Sequence, residues 1–323
     1  MVHRTTRWTI ALALAVAAAA AAAQGYPSRP VRIVVGFAPG GAADTVARAY
    51  SDAMSHALGQ PVIIDNREGA GSSIAAKVVS RAPADGYTVL IASPASMSVN
   101  PALNPGIGYK ATDFAPITKV SASPLVLVVN PDTQINSVKE LVATAKRDPG
   151  KLNYATSGVG SAPHFGAVLF SQITGIKMEH VPFKGGAPAV VSVVAGDTQV
   201  TFATPPSVLP MVKAGRLRAL AVTRRDRSPL MPDIPGTQEA GFPEYELSFW
   251  YGLFVPANTP NDVIWKIYEA TATASQDPRV KAALAREGTE ISVSKSPHDF
   301  AEFLAQDEKF WVQLVKDTGA KAE

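Results

Sequence analysis

Short runs of β-branched residues alternate with longer alanine-rich segments along most of the chain. Residues 31–36, VRIVVG, have the composition of a buried strand, and residues 42–57 place Val and Ala at helical spacing. Further strands are predicted over residues 61–64 and 87–92, with a helix over 74–81 between them. Strands that alternate with helices form parallel βαβ units, so the sequence predicts an α/β protein with mainly parallel sheets.

The second half of the chain repeats this alternation with different residues. Residues 125–129 form a predicted strand and residues 138–147 a predicted helix, which Pro149 and Gly150 end. A chain of 323 residues is long for one hydrophobic core and suits two. We therefore expect two lobes, each with its own sheet.

The amino-terminal residues have the three-part pattern of a secretory signal peptide. A basic segment that contains Arg4 and Arg7 precedes an apolar run over residues 8–23. The run is shorter than the roughly 20 residues needed to cross a bilayer, and its final alanines suit signal peptidase. We expect residues 1–23 to be removed and the mature protein to be periplasmic.

The composition excludes several classes of function. The chain has no cysteine, so thiol chemistry and disulfides are excluded, and its five histidines show no metal-binding spacing. Without Arg4 and Arg7 the mature chain carries 28 basic and 27 acidic residues, with no basic face suited to nucleic acid. The GAG at residues 69–71 lacks the rest of a dinucleotide-binding motif. We therefore expect no metal, no cofactor and no nucleic-acid partner.

Small-residue turns follow several predicted strands and are the candidate binding elements. The first, over residues 37–44, reads FAPGGAAD, and the second, over residues 156–161, reads TSGVGS. Ligands of open α/β sheets bind at the carboxyl ends of strands, where helix amino ends also attract anions. Two such turns that face each other would hold a small carboxylate, although glycine turns can also simply join strands to helices.

Three side chains near these turns have both a functional and a purely structural interpretation. Asp44 would accept a hydrogen bond from a ligand, yet the helix dipole also favours a carboxylate in the first helical turn. His164 would donate to an anion or serve as a capping or core histidine. Lys184 would supply a cation or be an ordinary solvated lysine.

The order of these segments resembles the periplasmic receptors of tripartite tricarboxylate transporters, the Bug-type receptors. The resemblance covers essentially the whole mature chain. The matching segments are YP at 26–27, PVR at 30–32, residues 37–44 and 62–71, ADGY at 84–87, DFAPI at 113–117, residues 156–161 with His164, residues 181–186, 206–210 and 215–222, EAGFP at 239–243 and WYG at 250–252.

The resemblance implies a periplasmic-binding-protein (Venus-flytrap) fold, in which the chain crosses between lobes near residues 121–125 and 247–251. Lobe 1 would comprise residues 24–123 and 248–323, and lobe 2 residues 124–247. The implied function is capture of a small organic acid without catalysis. The implied partners are integral membrane permease subunits or, alternatively, a sensor kinase, and we expect a monomer.

The resemblance also carries ligand-binding candidates onto this sequence. They are Phe37, Gly40, Gly41, Ala42, Asp44, Ser72, Ser93, Ser157, Ser161, His164, Ala203 and Thr204. Many relatives have an acidic residue where Ala203 follows Phe202, and its absence favours a dicarboxylate, tricarboxylate or aromatic acid over an amino acid. A serine hydrolase using Ser157 or Ser161 is an alternative, but the turn is not GxSxG and lacks a second histidine with an acid partner.

Overall fold

The computed structural model describes residues 25–183, 185–286 and 288–318. The predicted signal peptide, residues 1–23, and the candidate cation Lys184 lie outside the described residues. Within those ranges the chain forms two β-sheets with helices packed against them. No helix in this part of the chain is both long and apolar enough to cross a membrane.

The first sheet has six strands in the order β11-β4-β10-β3-β1-β2. These strands are β1 (Val31–Val35), β2 (Val62–Asn66), β3 (Thr88–Ala92), β4 (Phe114–Pro124), β10 (Ser248–Pro256) and β11 (Glu290–Ile291). All of β3 and all but one residue of β1 are buried. These strands are continuous apolar runs because helices cover both faces of a central strand.

The second sheet has five strands in the order β7-β6-β8-β5-β9. These strands are β5 (Val126–Val129), β6 (Asn153–Thr156), β7 (Glu179–Pro182), β8 (Val200–Ala203) and β9 (Arg218–Val222). The central strands β5 and β8 are buried along their whole length, whereas β7 at the edge is half-buried or exposed.

The helices pack on the sheets through faces with helical spacing. They are α1 (Ala42–Leu58), α2 (Ser73–Ser80), α3 (Asn100–Leu103), α4 (Val138–Arg147), α5 (Ala162–Thr174), α6 (Gly186–Ala195), α7 (Pro205–Lys213), α8 (Thr237–Ala240), α9 (Asn261–Ser275), α10 (Pro278–Arg286) and α11 (Pro297–Thr318). In α1 the buried residues include Val46, Tyr50 and Ala53, and left-handed Gly59 ends the helix. The helical spacing of Val46, Ala49, Ala53 and Ala57 predicts one buried face; Val46 and Ala53 are buried and Ala49 is half-buried, whereas Ala57 is exposed.

The predicted two-lobed α/β fold is confirmed, but the sheets are mixed rather than mainly parallel. β1 pairs in parallel with β2 and β3, and β6 does so with β7 and β8. In contrast, β10 and β5 each run antiparallel to both of their neighbours. The direction of a strand depends on the end at which the chain enters the sheet. β5 and β10 enter from the other sheet, so they run against the βαβ strands.

The chain passes between the sheets at two adjacent crossings. β4 leads through Leu125 into β5, and Leu247 leads into β10. Thr223 joins the two crossings, because its hydroxyl accepts from Leu125 N at 2.8 Å and donates to the Leu247 carbonyl at 2.6 Å. The lobe boundaries after residues 123 and 247 stay a prediction, and they fall close to these changes of sheet.

Candidate functional site

The strand directions place the turns of both sheets on the side where the lobes meet. β4 ends next to the second sheet, and β3, β1 and β2 point the same way because β10 is antiparallel to both β4 and β3. β8, β6 and β7 end next to the first sheet, since β5 starts there and is antiparallel to β8. We call these opposed edges the cleft faces: residues 36–44, 67–73 and 93–100 on the first lobe, and residues 157–161 and 203–204 on the second. Ligands of open α/β sheets bind at such edges.

The turn after β1 is held by the buried carboxylate of Asp44. This side chain is 3% exposed and accepts hydrogen bonds from Gly40 N at 2.8 Å, Arg48 Nε at 2.8 Å and Asn66 Nδ2 at 2.9 Å. Asn66 Nδ2 also donates to the Phe37 carbonyl at 3.0 Å. Burial alone would raise the pKa of Asp44, but the hydrogen bonds from Arg48, Gly40 and Asn66 lower it below its usual value.

These contacts give Asp44 the role of shaping the turn. Three donors already surround its carboxylate, and one of them is the Gly40 N–H that the sequence suggested as a ligand donor. Gly41 N likewise donates to the Ala38 carbonyl, at 3.2 Å. The N–H groups left for a ligand are at the start of α1, where Ala42 begins the helix without a side-chain cap.

Arg48 and Asn66 are site residues that the sequence analysis missed. Arg48 Nη2 donates to Asn66 Oδ1 at 3.2 Å, so the two side chains also support each other. The i, i+4 spacing of Asp44 and Arg48 is a signal that the sequence does contain. Asn66 gives no such signal, because it reaches Asp44 only through the pairing of β1 with β2.

The turn after β2 has a left-handed backbone over four successive residues. Gly69, Ala70, Gly71 and Ser72 have φ angles of 130°, 46°, 58° and 74°. For Ala70 and Ser72 this conformation costs roughly 1–2 kcal/mol each, so surrounding contacts must hold it. One such contact is with the preceding turn, since a Cβ on Gly36 would overlap Ser72 Oγ. The turns after β1 and β2 therefore touch.

Two buried hydroxyls on the first cleft face have no hydrogen-bond partner among the described residues. They are Ser72 Oγ, at the start of α2, and Ser93 Oγ, directly after β3, and both residues are fully buried. Buried hydroxyls are nearly always paired, and an unpaired one costs about 1–3 kcal/mol. The unpaired hydroxyls give both serines, already candidates from the sequence, a physical reason to bind a polar ligand.

The turn after β6 is held by hydroxyl groups. Thr156 Oγ1 accepts from Gly158 N at 3.2 Å, and Ser161 Oγ donates to the Gly158 carbonyl at 2.6 Å. Ser157 is half-buried at the start of the turn, and Ser161 precedes α5 without capping it. The first N–H groups of α5 are therefore left without a side-chain acceptor, as those of α1 are.

Two histidines pack together behind this turn. The ring centroids of His164 and His180 are 4.6 Å apart, and His180 also stacks on Tyr154 at 5.0 Å. His164 Nδ1 accepts from Gly160 N at 3.4 Å, and His180 Nε2 lies 2.6 Å from Thr156 Oγ1. Burial, with a smaller contribution from His180, lowers the pKa of His164 to about 4.

His164 is therefore uncharged at neutral pH. With Nδ1 as an acceptor, the neutral ring carries its proton on Nε2, so it can donate one hydrogen bond but supplies no positive charge to an anion. The sequence analysis did not identify His180, because only the parallel register of β6 and β7, with Tyr154 opposite His180, brings it to the site.

Ala203 and Thr204 lie at the carboxyl end of β8, on the second cleft face. Ala203 ends the strand and is buried, and Thr204 precedes α7. Thr204 Oγ1 lies 3.2 Å from Ser207 Oγ, within the first turn of α7. The first lobe also approaches here, since a Cβ on Gly288, just before β11, would lie 2.6 Å from Pro205 Cβ.

The two cleft faces are in contact through Asn100 and Gly160. A Cβ on Gly160 would lie 3.1 Å from Asn100 Oδ1 and 3.5 Å from Leu103 Cδ1. Asn100 Nδ2 in turn donates to the Gly71 carbonyl at 2.9 Å. The turns that the sequence singled out in the two halves of the chain therefore form one continuous set of contacts.

Helices that begin at or next to the cleft faces lack side-chain caps. Of three helices that begin on the opposite side, α4 and α11 have such caps and α9 does not. α1, α2, α5, α6 and α7 have no cap hydrogen bond from a side chain. Away from the cleft faces, Ser137 Oγ accepts from Glu140 N at the start of α4, and Ser296 Oγ from Asp299 N at the start of α11. Uncapped amino ends present partial positive charge and N–H groups, except that α7 begins with Pro205 and Pro206, which have no N–H. Both cleft faces therefore favour an anion.

The hydroxyls after β6 are not arranged as nucleophiles. Ser161 Oγ donates to a carbonyl, and His164 Nδ1 accepts from a main-chain amide. Thr156, at the end of β6, places its hydroxyl 2.6 Å from His180 Nε2. These contacts do not form the serine–histidine pair that a serine hydrolase needs.

A polar cavity of about 280 Å³ lies beside the two crossings between the sheets, and none of the ligand-binding candidates lines it. Arg224 Nη1 donates to Glu290 Oε1 at 2.9 Å, and Ser228 Oγ donates to the same oxygen at 3.1 Å. Glu290 belongs to the first sheet, whereas Arg224 and Ser228 follow β9 of the second. This ion pair therefore ties the lobes together beside the crossings.

The chain is similar in sequence and structure to known transport receptors. Residues 46–320 match the family described as tripartite tricarboxylate transporter family receptor. Protein BugT of Bordetella pertussis is 36% identical over 301 residues, which cover 93% of this chain and 92% of BugT. An R. palustris protein solved with adipate is 32% identical with a TM-score of 0.85, covering 91% of this chain and 98% of that one. MatC from Rhodopseudomonas palustris with bound malate is 29% identical with a TM-score of 0.81, covering 90% of this chain and 100% of that one.

Proposed function

Because this chain belongs to the tripartite tricarboxylate transporter receptor family, we propose that it is a periplasmic receptor that closes two lobes over a small organic anion. The family model describes a receptor, so we propose capture and release without catalysis. In this mechanism the ligand binds the closed arrangement better than the open one and shifts the population towards it.

One observation carries the proposal: uncapped helix amino ends from both sheets lie on opposed, touching cleft faces. α1 and α2 contribute from the first lobe, and α5 contributes from the second. Each amino end supplies N–H donors and about half a positive charge, which fits a negatively charged guest without a charged side chain. An anion between the faces would interact with both lobes and so favour closure.

The ligand that fits these faces is a carboxylate, and relatives solved with adipate and with malate bind carboxylates of this kind. The end of β8 offers no acidic side chain, since Ala203 and Thr204 stand there. An ammonium group would lack a partner at this position, so we propose a dicarboxylate, a tricarboxylate or an aromatic acid. The proposed ligand contacts lie among Phe37, Gly40, Gly41, Ala42, Ser72, Ser93, Ser157, Ser161, His164, Ala203 and Thr204. Asp44 supports the first turn, and the Gly40 and Gly41 N–H groups already have acceptors within it.

Delivery of the ligand requires partners in the membrane. We propose the integral membrane permease subunits of a tripartite transporter, which the family description supports. Export through removal of residues 1–23 and action as a monomer belong to the same proposal.

Thermal-shift screening of the mature protein with malate, adipate, citrate and benzoate tests the function directly. A ligand that binds only the folded state raises the melting temperature, and the rise grows with the logarithm of the ligand concentration relative to Kd. Calorimetry should then give a single site, and the acid should be recovered unchanged after incubation. No shift with any acid would remove the receptor assignment, and a chemically altered acid would replace it with an enzyme.

Ser93→Ala separates ligand binding from folding. Since the Ser93 hydroxyl has no partner among the described residues, its removal should leave the melting temperature of the free protein unchanged or higher. Ligand affinity should fall by about two- to tenfold, the factor expected for one lost hydrogen bond. Ser80→Ala, at the far end of α2, is the control and should bind as the wild type does. Unchanged affinity in Ser93→Ala would remove this residue from the site.

A further inference from the structure

Asn100 holds the left-handed turn after β2 from its position at the start of α3. Its Nδ2 donates to the Gly71 carbonyl at 2.9 Å, to the Ala70 carbonyl at 3.2 Å and to Ser73 Oγ at 2.9 Å. The turn keeps a positive φ at Ala70 and Ser72 only where neighbouring contacts hold it. Asn100 supplies three of these contacts with one amide group.

The amide oxygen of Asn100 faces the opposite lobe. A Cβ on Gly160 would lie 3.1 Å from Asn100 Oδ1, closer than ordinary van der Waals contact, and 3.5 Å from both Leu103 Cδ1 and Val99 Cγ1. Gly160 therefore sits directly against α3 and the residue before it. Because Gly160 belongs to the turn that leads from Ser157 into α5, this contact lies within a proposed ligand-binding turn.

We propose that Asn100 is a positioning residue that couples lobe closure to the shape of the ligand-binding turns. The inference rests on the proposed function. In the closed arrangement Gly160 reaches Asn100 Oδ1, while Asn100 Nδ2 holds the turn that carries Ser72 and the amino end of α2. A side chain at residue 160 would therefore displace Asn100 Oδ1 by a few tenths of an ångström, and separation of Gly160 from Asn100 accompanies ligand release.

Gly160→Ala places a methyl group 3.1 Å from Asn100 Oδ1, so Asn100 must shift, and its hold on the turn after β2 weakens, when the lobes close. We expect the affinity of this variant for adipate or malate, measured by calorimetry, to fall at least tenfold. Stopped-flow measurement should assign the loss to faster dissociation, because closure follows the first encounter. A substitution that only destabilised the fold would not confine the loss of affinity to the dissociation rate constant.

Gly175→Ala is the matched control for backbone strain. Gly175 also has a positive φ, 64° against 77° for Gly160, but no atom lies within 4 Å of an added Cβ. This variant should bind within twofold of the wild type. Equal losses of affinity for the two alanine variants would overturn the proposal.

Asn100→Ala identifies the partner of residue 160. The variant alone should bind at least tenfold more weakly, because it loses the hold on the turn. In this background the methyl group of Gly160→Ala no longer meets an oxygen, so the second substitution should cost less than twofold. If Gly160→Ala weakens binding by the same factor in both backgrounds, Asn100 is not the coupling residue.

A disulfide tests the contact without a ligand, since the chain contains no cysteine. Val99 Cγ1 lies 3.5 Å from a Cβ at residue 160, so a cysteine sulfur in the place of that methyl group would lie next to a cysteine at residue 160. Val99→Cys with Gly160→Cys should cross-link in oxidised glutathione, whereas Val99→Cys with Gly175→Cys should not, as judged by the intact mass after alkylation. The absence of a cross-link would overturn the contact. A cross-link in a protein that binds no acid would instead count against the proposed function alone.

Discussion

The turn after β1 and the turn after β6 occupy equivalent places in the two lobes, yet they are held by different chemistry. The first depends on the buried carboxylate of Asp44, which accepts from Gly40, Arg48 and Asn66. The second depends on the neutral imidazole of His164, which accepts from a main-chain amide, and on the Thr156 hydroxyl, which contacts His180. One topology can therefore position the same kind of donor turn through a fixed charge or through a neutral imidazole and a hydroxyl. The difference predicts that acid loosens the second lobe before the first.

Asp44→Asn should have the largest effect, because it removes the charge around which the first turn is built. The amide removes the negative charge beside the Arg48 guanidinium and replaces one acceptor oxygen by an NH2 group, so at least one of the three donors loses its acceptor, at a cost of about 2–3 kcal/mol of unfolding free energy. Affinity for the acid ligand should fall at least tenfold, since the start of α1 loses its position. Urea unfolding and calorimetry measure the two effects.

Asp52→Asn is the control for Asp44→Asn, because Asp52 is exposed on the same helix. Its stability and affinity should match those of the wild type. Because hydrogen bonds hold the pKa of Asp44 below the ordinary 3.8, its contribution is complete above that pH and is lost only as pH falls below it. An Asp44→Asn protein with wild-type stability at pH 7 would show that the first turn does not depend on this charge.

Acid should destabilise the protein through His164 at a higher pH than through Asp44. The unfolded chain takes up a proton near pH 6.5, whereas the folded pKa of His164 is about 4. The unfolding free energy therefore falls as pH falls from 6.5 to 4, by at most about 3 kcal/mol. His164→Asn keeps an acceptor near Gly160 N but does not titrate, so urea unfolding between pH 7 and 4 should lose this part of the slope.

His298→Asn controls for the histidine substitution itself, since His298 is exposed. It should leave the pH dependence unchanged. If His164→Asn retains the full wild-type slope, the second turn is no more acid-sensitive than the first, and the contrast between the lobes disappears.

Asp307 in α11 changes the unfolding free energy with pH in the direction opposite to His164. Its contribution therefore masks part of the pH dependence that His164 produces. Burial raises the pKa of Asp307 to about 6, while Trp250 Nε1 donates to its carboxylate at 3.0 Å. The folded state therefore binds the proton more tightly, and stability falls as pH rises from 3.8 to 6. Asp307→Asn should raise the unfolding free energy at pH 7 by about 1–2 kcal/mol and leave it unchanged near pH 3.

Glu308→Gln, an exposed substitution on the same helix, should change neither value and serves as the control for Asp307→Asn. In the Asp307→Asn background the opposing contribution is absent, so the unfolding free energy should fall more steeply as pH falls from 6 to 4. A variant that is no more stable than the wild type at pH 7 would show that the Asp307 carboxylate is well solvated.

Ser157→Ala should have the smallest effect, because Ser157 is half-buried and the turn is held by Thr156 and Ser161 instead. We expect an unchanged melting temperature and a two- to tenfold loss of ligand affinity by calorimetry. A lower melting temperature would mean that Ser157 supports the turn rather than the ligand.

Most helices and strands could be predicted because their signals are local. The helix predicted over residues 138–147 is observed as Val138–Arg147, and the first predicted strand differs from β1 by one residue. Proline and glycine end these segments through restrictions on their own backbone. Such restrictions act whatever the rest of the chain does.

β4 shows where local signals fail. Its sequence FAPITKVSASP contains two prolines and several polar residues, so it gives neither a continuous apolar run nor a clear alternation. It is nevertheless an 11-residue strand, because β10 pairs along its length and β11 covers part of its other edge. Both partners come from the last third of the chain, more than 120 residues away.

The sequence by itself determined the alternation of strands and helices, the glycine-rich turns and the serines placed within them. These features depend on the conformational freedom of single residues and on short spacings, which neighbouring residues alone define. The tertiary structure decided which turns face each other and how each is held, through Asn66, Asn100 and His180. Those side chains reach the turns only after strands pair and the chain crosses twice between sheets, because hydrogen bonds depend on distances in space that no local pattern specifies.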